Sequence, residues 1–313
     1  MFQLFKKRNF SDYISDTFSF FRITGKHFFK NYFIINGTLL ILLMVLTYFV
    51  FKVYFEMMFA NIGSSAPNFL EDYFNNNIGL IIGVFLLFFL LIMFISLINY
   101  AYPVVYMILY DKHKGNHFES KEIIAELKSK FGKMLIFLLV LFFLGITAGL
   151  ILMGLVVALM FVLVGFLLLI ILGPALLAFV QLSFYEYLNA EIGIFEAMGK
   201  GFEKLKQNFW PIIGSTIVMY FIVQIVISIF SMVPYIIGIA SVFTSIENQG
   251  SPEESLSFLS IMMVVFMCLA MLFSYILNNL LVVNSGIIYY SLREKNENRT
   301  TINDIDLIGT ESE

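Results

Sequence analysis

Charge is what this sequence has least of. Asp, Glu, Lys and Arg make up only 13% of the residues, against 60% hydrophobic ones, where a soluble domain carries roughly 25% charged residues. A water-soluble globular protein is excluded, and an integral membrane protein is expected. The single cysteine, Cys268, stands inside an apolar run, so no intramolecular disulfide can form and the redox compartment stays open. Histidine is equally scarce. His113 and His117 have the i,i+4 spacing that suits a metal on a helix, but Gly115 weakens a helix there and no third ligand is close in sequence. No metal and no cofactor is expected. Lys200 between Gly199 and Gly201 makes no phosphate loop, because no strand precedes it and the Walker spacing is missing. The basic cluster Lys6, Lys7 and Arg8 is followed by an amphipathic stretch rather than an apolar core, so no cleavable leader is expected.

Long apolar runs fill the space that charge leaves. The first predicted span covers 35–55. The second stays apolar or aromatic over 78–110, well beyond the roughly 20 residues a bilayer core needs. It must tilt, project into the cytoplasm or bend, with Pro103 the obvious place. Tyr102, Tyr106 and Tyr110 recur every four residues near its end and are expected at headgroup level as an aromatic belt. Residues 134–180 hold no charge at all, which suits two spans with a turn near Gly154. The fourth span carries Gly173 and Pro174. The fifth starts at Ile212, is interrupted by Pro234 and Gly238, and reaches Phe243; the sixth covers 258–292. Polar segments at 56–77 and 247–255 read as loops, and the tail 293–313 as disordered.

Three charged amphipathic segments precede these pairs of spans, at 10–33, 119–133 and 193–209, and each is expected to lie on the membrane surface. The third is the clearest. Ile194, Met198, Phe202, Leu205 and Phe209 fall on one stripe at 100° per residue, while Glu196, Lys200, Glu203, Lys204 and Lys206 cover the rest. The expected fold is an all-α polytopic protein. One six-span domain over 1–292 is built from the hairpins 35–110, 134–188 and 212–292, each behind an interfacial helix.

The outer blocks resemble one another. Laid together, Phe18 meets Phe195, Asn31 meets Asn208, Ile35 meets Ile212 and Gly37 meets Gly214. A threefold repeat of interfacial helix plus hairpin is the economical reading. Of the 19 Lys and Arg residues, all but Lys52 lie in the N-terminus, the two central charged segments or the tail. Lys52 can snorkel from the far end of the first span. The positive-inside rule therefore puts both termini in the cytoplasm.

No ionisable side chain lies in the middle of any predicted span, whereas proton relays and charged-substrate sites need such groups. The intramembrane polar residues are neutral: Asn99, Gln181, Gln224, Asn278, Asn279 and Asn284. They read as interhelical hydrogen bonds at about 0.6 kcal/mol each, or alternatively as contacts to a solute. The basic faces are expected to attract anionic lipid headgroups, with membrane proteins as further partners and no nucleic acid.

At Ala197, Gly199, Phe202, Leu205, Asn208, Phe209, Trp210 and Gly214 the chain resembles a broad group of uncharacterised bacterial six-span proteins. Among them is the membrane domain attached to some glycerophosphoryl diester phosphodiesterases. The resemblance covers most of the chain as layout and about twenty residues as motif. It implies the bacterial inner membrane, and the Phe-, Ile- and Asn-rich composition resembles that of an AT-rich bacterium. The phosphodiesterase barrel has no counterpart here, so no enzyme activity carries over. The expected function is a non-enzymatic role in membrane or envelope organisation, or as a subunit of a membrane assembly. The alternative is a permease for a neutral or lipophilic solute.

Overall fold

In lipid a backbone has no hydrogen-bond partner but itself, so apolar runs of this length fold as helices. The computed structural model describes residues 1–60, 69–160, 164–247 and 252–298. Its helices are α1 (Phe10–Ala60), α2 (Phe69–Lys112), α3 (Ser120–Met160), α4 (Val164–Asn189), α5 (Ile194–Gln207), α6 (Phe209–Glu247) and α7 (Pro252–Glu297). All but α5 are long and apolar enough to cross a membrane, which makes six candidate spans among the described residues. The chain is an all-α polytopic membrane protein.

Several boundaries differ from those read in the sequence. The amphipathic segments 10–33 and 119–133 are the opening turns of α1 and α3 and run into the apolar part without a break; only 193–209 gives a separate helix. α3 continues through Gly154 to Met160, so the chain does not turn there. α2 passes Pro103 as helix and departs from helical angles at Asn77 instead (φ −124°, ψ 17°). α7 carries the start of the expected tail, Arg293 to Glu297, as helix. Residues 61–68 and 248–251 of the two expected loops, and 299–313 of the tail, lie outside the described residues.

The chain divides into two units. The first comprises Met1–Ile35, Leu97–Phe221 and Asn279–Glu313. Its core is aromatic. Tyr102 and Tyr106 are fully buried and Tyr110 nearly so; they form no lipid-facing belt. Phe28 packs edge-on against both Tyr102 (5.0 Å) and Tyr106 (4.8 Å), and Tyr102 Oη donates to Phe28 O at 2.6 Å. A tyrosine hydroxyl that finds a carbonyl inside the protein has no need of the headgroup layer. His27 joins this cluster: Nε2–H donates to Phe118 O and Nδ1 accepts from Tyr106 Oη, each at 2.8 Å.

The N-terminal residues close the same unit. Phe2 and Leu4 are buried, and Phe2 N–H donates to Tyr110 Oη at 2.9 Å. The Arg8 side chain is fully buried, with Nε 2.7 Å from Asp16 Oδ2 and Nη1 donating to Leu4 O at 2.7 Å. Burial lowers the guanidinium from its ordinary value, against the upward pull of Asp16.

The second unit comprises Asn36–Ser96 and Ile222–Asn278. Val264 and Cys268 form its buried centre with Phe51 and Met263. Ser96 and Tyr275 share a hydroxyl hydrogen bond at 2.8 Å, and Phe230 stacks on Phe273 at 5.1 Å. Gly238 lets α6 approach α7, since a Cβ there would stand 2.9 Å from Met262 Cβ.

Candidate functional site: the elbow between α4 and α6

Between α4 and α6 the chain makes a short helix, α5, and the residues at its ends explain why. Gly193 is extended (φ −69°, ψ 157°) and offers no side-chain cap, but its carbonyl accepts the first bond of α5, from Ala197 N–H at 2.9 Å. The helix stops at Gln207 because Pro211 lies four residues on. A proline there has no N–H to give Gln207 O, and its ring would clash with that carbonyl. Asn208 takes the break (φ −143°, ψ 45°) and donates Nδ2–H to Tyr13 Oη at 2.8 Å. Pro211 then falls in the first turn of α6, where a missing donor costs nothing.

The face that α5 buries is small. Ala197, Gly201 and Leu205, spaced four apart, are its buried residues. A Cβ at Gly201 would lie 2.9 Å from both the Cα and the N of Ser183, so only glycine permits this approach to α4. The apolar stripe read in the sequence is therefore divided. Leu205 faces the protein and Met198 is half-buried, whereas Phe195 (71%), Phe202 (51%) and Trp210 (67%) are exposed. Gly199 meets nothing within 4 Å, while a Cβ at Gly214 would come 3.0 Å from Phe10.

The three lysines of α5 have different surroundings. Lys200 pairs with Glu196 on its own helix at 2.9 Å. Lys204 reaches Glu186 of α4 at 2.8 Å, with side chains only 12% and 9% exposed. Its Nζ also lies 5.4 Å over the Tyr289 ring, which stacks on Tyr185 at 5.4 Å and 25°. Lys206 lies 5.2 Å over the Phe202 ring, and among the described residues no carboxylate pairs with it.

An apolar groove of about 400 Å³ runs beside the elbow. One wall is α4, with Leu168, Ile171, Leu172, Ala175, Leu176 and Phe179 on a single stripe. The other is Phe202, Leu205 and Phe209. Phe179 and Phe202 meet edge-on at 6.3 Å at one end.

Three of the intramembrane amides bond to hydroxyls of other helices. Asn99 Oδ1 accepts from Tyr32 Oη at 2.6 Å, and Gln181 Oε1 accepts from Ser285 Oγ. Asn279 is buried in the first unit; Asn278 and Gln224 are half-buried in the second. Asn284 makes the most extensive of these contacts whose partners are identified. Its Nδ2 lies 3.0 Å from Tyr13 O, 3.0 Å from Thr17 Oγ1 and 3.2 Å from Ser215 Oγ. The Glu186–Lys204 pair and buried Arg8 were also missed. The signal for the pair was a carboxylate at the end of a span, near a lysine that follows the turn. The signal for Arg8 was the alternation of Phe2 and Leu4 ahead of it. His113 and His117 do not share a helix: α2 ends at Lys112, and Lys114 (φ 50°) and Gly115 (φ 149°) turn the chain between them. His113 Nε2 instead lies 3.3 Å from Glu122 Oε2.

Compared with known proteins, the chain matches no family model, no curated protein and no solved structure.

Proposed function

We propose that this chain is a non-enzymatic integral membrane protein that organises the lipid–water boundary of a bacterial inner membrane, with both termini cytoplasmic. One observation carries the reading: α5 is fixed to the bundle by Ala197, Gly201, Leu205 and the Lys204–Glu186 pair while Phe195, Phe202 and Trp210 stand exposed beside lysines. A helix with a packed face, an aromatic face and a charged face sits stably only where protein, hydrocarbon and water meet. The hydrogen bonds that tie Asn284, Gln181 and Asn99 to neighbouring helices support a structural use of the intramembrane amides. The role fits either a free organiser or a subunit of a larger assembly, and anionic headgroups are the partner it favours.

Trp210 is the only tryptophan, so intrinsic fluorescence reads this one position. In vesicles containing lipids brominated at different depths, shallow bromines should quench Trp210 more strongly than deep ones. Stronger quenching by the deepest bromines, or none at all, would overturn the reading. Saturable flux of a neutral solute through the same vesicles would favour a permease instead.

A further inference from the structure

We infer that the groove between α4 and the α5–α6 elbow is a binding site for one acyl chain of an anionic phospholipid, whose headgroup Lys206 receives. The inference deepens the interfacial reading of α5 and rests on it. Three features of the groove point to this occupant.

The first is length. The α4 wall runs from Leu168 to Phe179, about 17 Å of helix at roughly 1.5 Å per residue. That is about half of a hydrocarbon core roughly 30 Å thick, the depth of one leaflet. A partner's transmembrane helix would need the whole thickness, and Phe179 and Phe202 meet at one end of this groove. An acyl chain needs one leaflet and no more.

The second is chemistry. All the lining residues are apolar, so no side chain in the groove would hydrogen-bond a polar solute, whereas an alkyl chain gives up no hydrogen bond by entering.

The third is the placing of charge. Lys200 and Lys204 are neutralised by Glu196 and Glu186, whereas Lys206 sits over Phe202, a residue of the groove wall. Phe202 touches Phe179 at the α5 end, so the cation stands where a chain entering the groove would carry its phosphate. Trp210, exposed and edge-on to Phe209 at 5.3 Å, adds the amphipathic ring expected at that depth.

The test is native mass spectrometry of the detergent-released full chain, offered equal amounts of phosphatidylglycerol and phosphatidylcholine with identical acyl chains. The phosphatidylglycerol adduct should predominate by about fivefold, the ratio that one basic residue near the lipid surface supplies. Lys206→Gln should abolish that preference while leaving both adducts detectable. Leu172→Trp, or Ala175→Phe should the first variant fail to fold, should weaken both adducts. Leu150→Trp, at an exposed position of α3, should leave both unchanged. Equal binding of the two lipids, or a Leu172→Trp effect no greater than that of Leu150→Trp, would overturn the inference. So would a dimer that Leu172→Trp dissolves, since the groove would then hold a second copy. Shallow quenching of Trp210 alongside any of these results would leave the interfacial reading standing and remove only the lipid site.

Discussion

Lys204 sets its Nζ 2.8 Å from Glu186 Oε2, joining α5 to α4 by an ion pair that is nearly closed to solvent. Asn189 and Lys204 both attend Tyr289 on α7, the first through an Nδ2–H bond to its hydroxyl at 3.2 Å and the second over its ring face. One lysine therefore ties α5 to two spans. In lipid, where apolar burial does not drive helices together, close packing and polar ties of this kind fix relative positions.

Removing one member of that pair should cost more than removing both. Lys204→Met leaves Glu186 enclosed without its cation, and a stranded buried charge is expensive; we expect a loss of about 2–3 kcal/mol, somewhat below the cost for a completely buried pair. The double variant Lys204→Met, Glu186→Gln should recover most of it. Thermal unfolding in detergent of the two singles, the double and the parent completes the cycle. A double variant less stable than Lys204→Met would show that Glu186 has another partner of equal weight.

Gly199 and Gly201 stand two residues apart on α5 and should respond oppositely to alanine. A Cβ at Gly201 collides with the Ser183 backbone, which cannot swing aside, whereas one at Gly199 meets open space. Gly201→Ala should lift α5 from α4 and cost about 1–3 kcal/mol, the usual range for overpacking. Gly199→Ala should raise stability by about 0.5–1 kcal/mol through helix propensity alone. Melting temperatures of the two variants, measured side by side, separate contact from propensity. Equal losses would mean that α5 does not rest on α4 through Gly201.

The six spans were legible because apolar runs of this length leave lipid-buried backbone no alternative. The elbow was legible in part. Pro211 removes a helical hydrogen bond just beyond α5 and Asn208 takes the break, while 10–60 and 120–160 contain no proline, so the charged openings of α1 and α3 simply continue as helix. Asn31 and Asn208 align in sequence yet behave differently. Asn31 stays helical and donates to His27 O at 2.8 Å; Asn208 leaves the helix. Burial was the harder part. A tyrosine every four residues looks the same whether it faces headgroups or, like Tyr102 and Tyr106, another helix. Which stripe of α5 would be buried depended on Gly201 meeting Ser183, a contact between helices that no single-helix pattern contains.

Asn284 should matter more than the half-buried Asn278. Its amide serves a carbonyl and two hydroxyls contributed by α1 and α6, so Asn284→Leu breaks several interhelical ties at once and encloses Ser215 Oγ without this partner. We expect a loss of about 1–2 kcal/mol, above the mean of about 0.6 kcal/mol for one interhelical bond in lipid. Asn278→Leu, at a half-buried position, should cost less than 1 kcal/mol, about what one such bond supplies. Unfolding midpoints in detergent read both. A greater loss for Asn278→Leu would return weight to the pair that the sequence pointed to first.

Orientation is the prediction that decides which face of the membrane α5 occupies. Lys121, Lys128, Lys130 and Lys133 crowd the opening turns of α3, and a concentration of bases next to a span holds that end in the cytoplasm. Ser129 is exposed among them, and its hydroxyl only donates to Glu126 O at 2.9 Å, a bond that cysteine can forgo. In a Cys268→Ser background, Ser129→Cys should therefore resist a membrane-impermeant maleimide in intact cells and react fully once the membrane is opened. Ser65→Cys and Ser251→Cys, in segments without a basic residue and outside the described residues, should react in intact cells. The background substitution should be mild, because a serine hydroxyl can give Met44 O the bond that the Cys268 thiol now gives it at 3.8 Å. Labelling of Ser129→Cys in intact cells would invert the chain, putting α5, its lysines and the proposed lipid site on the opposite face of the membrane.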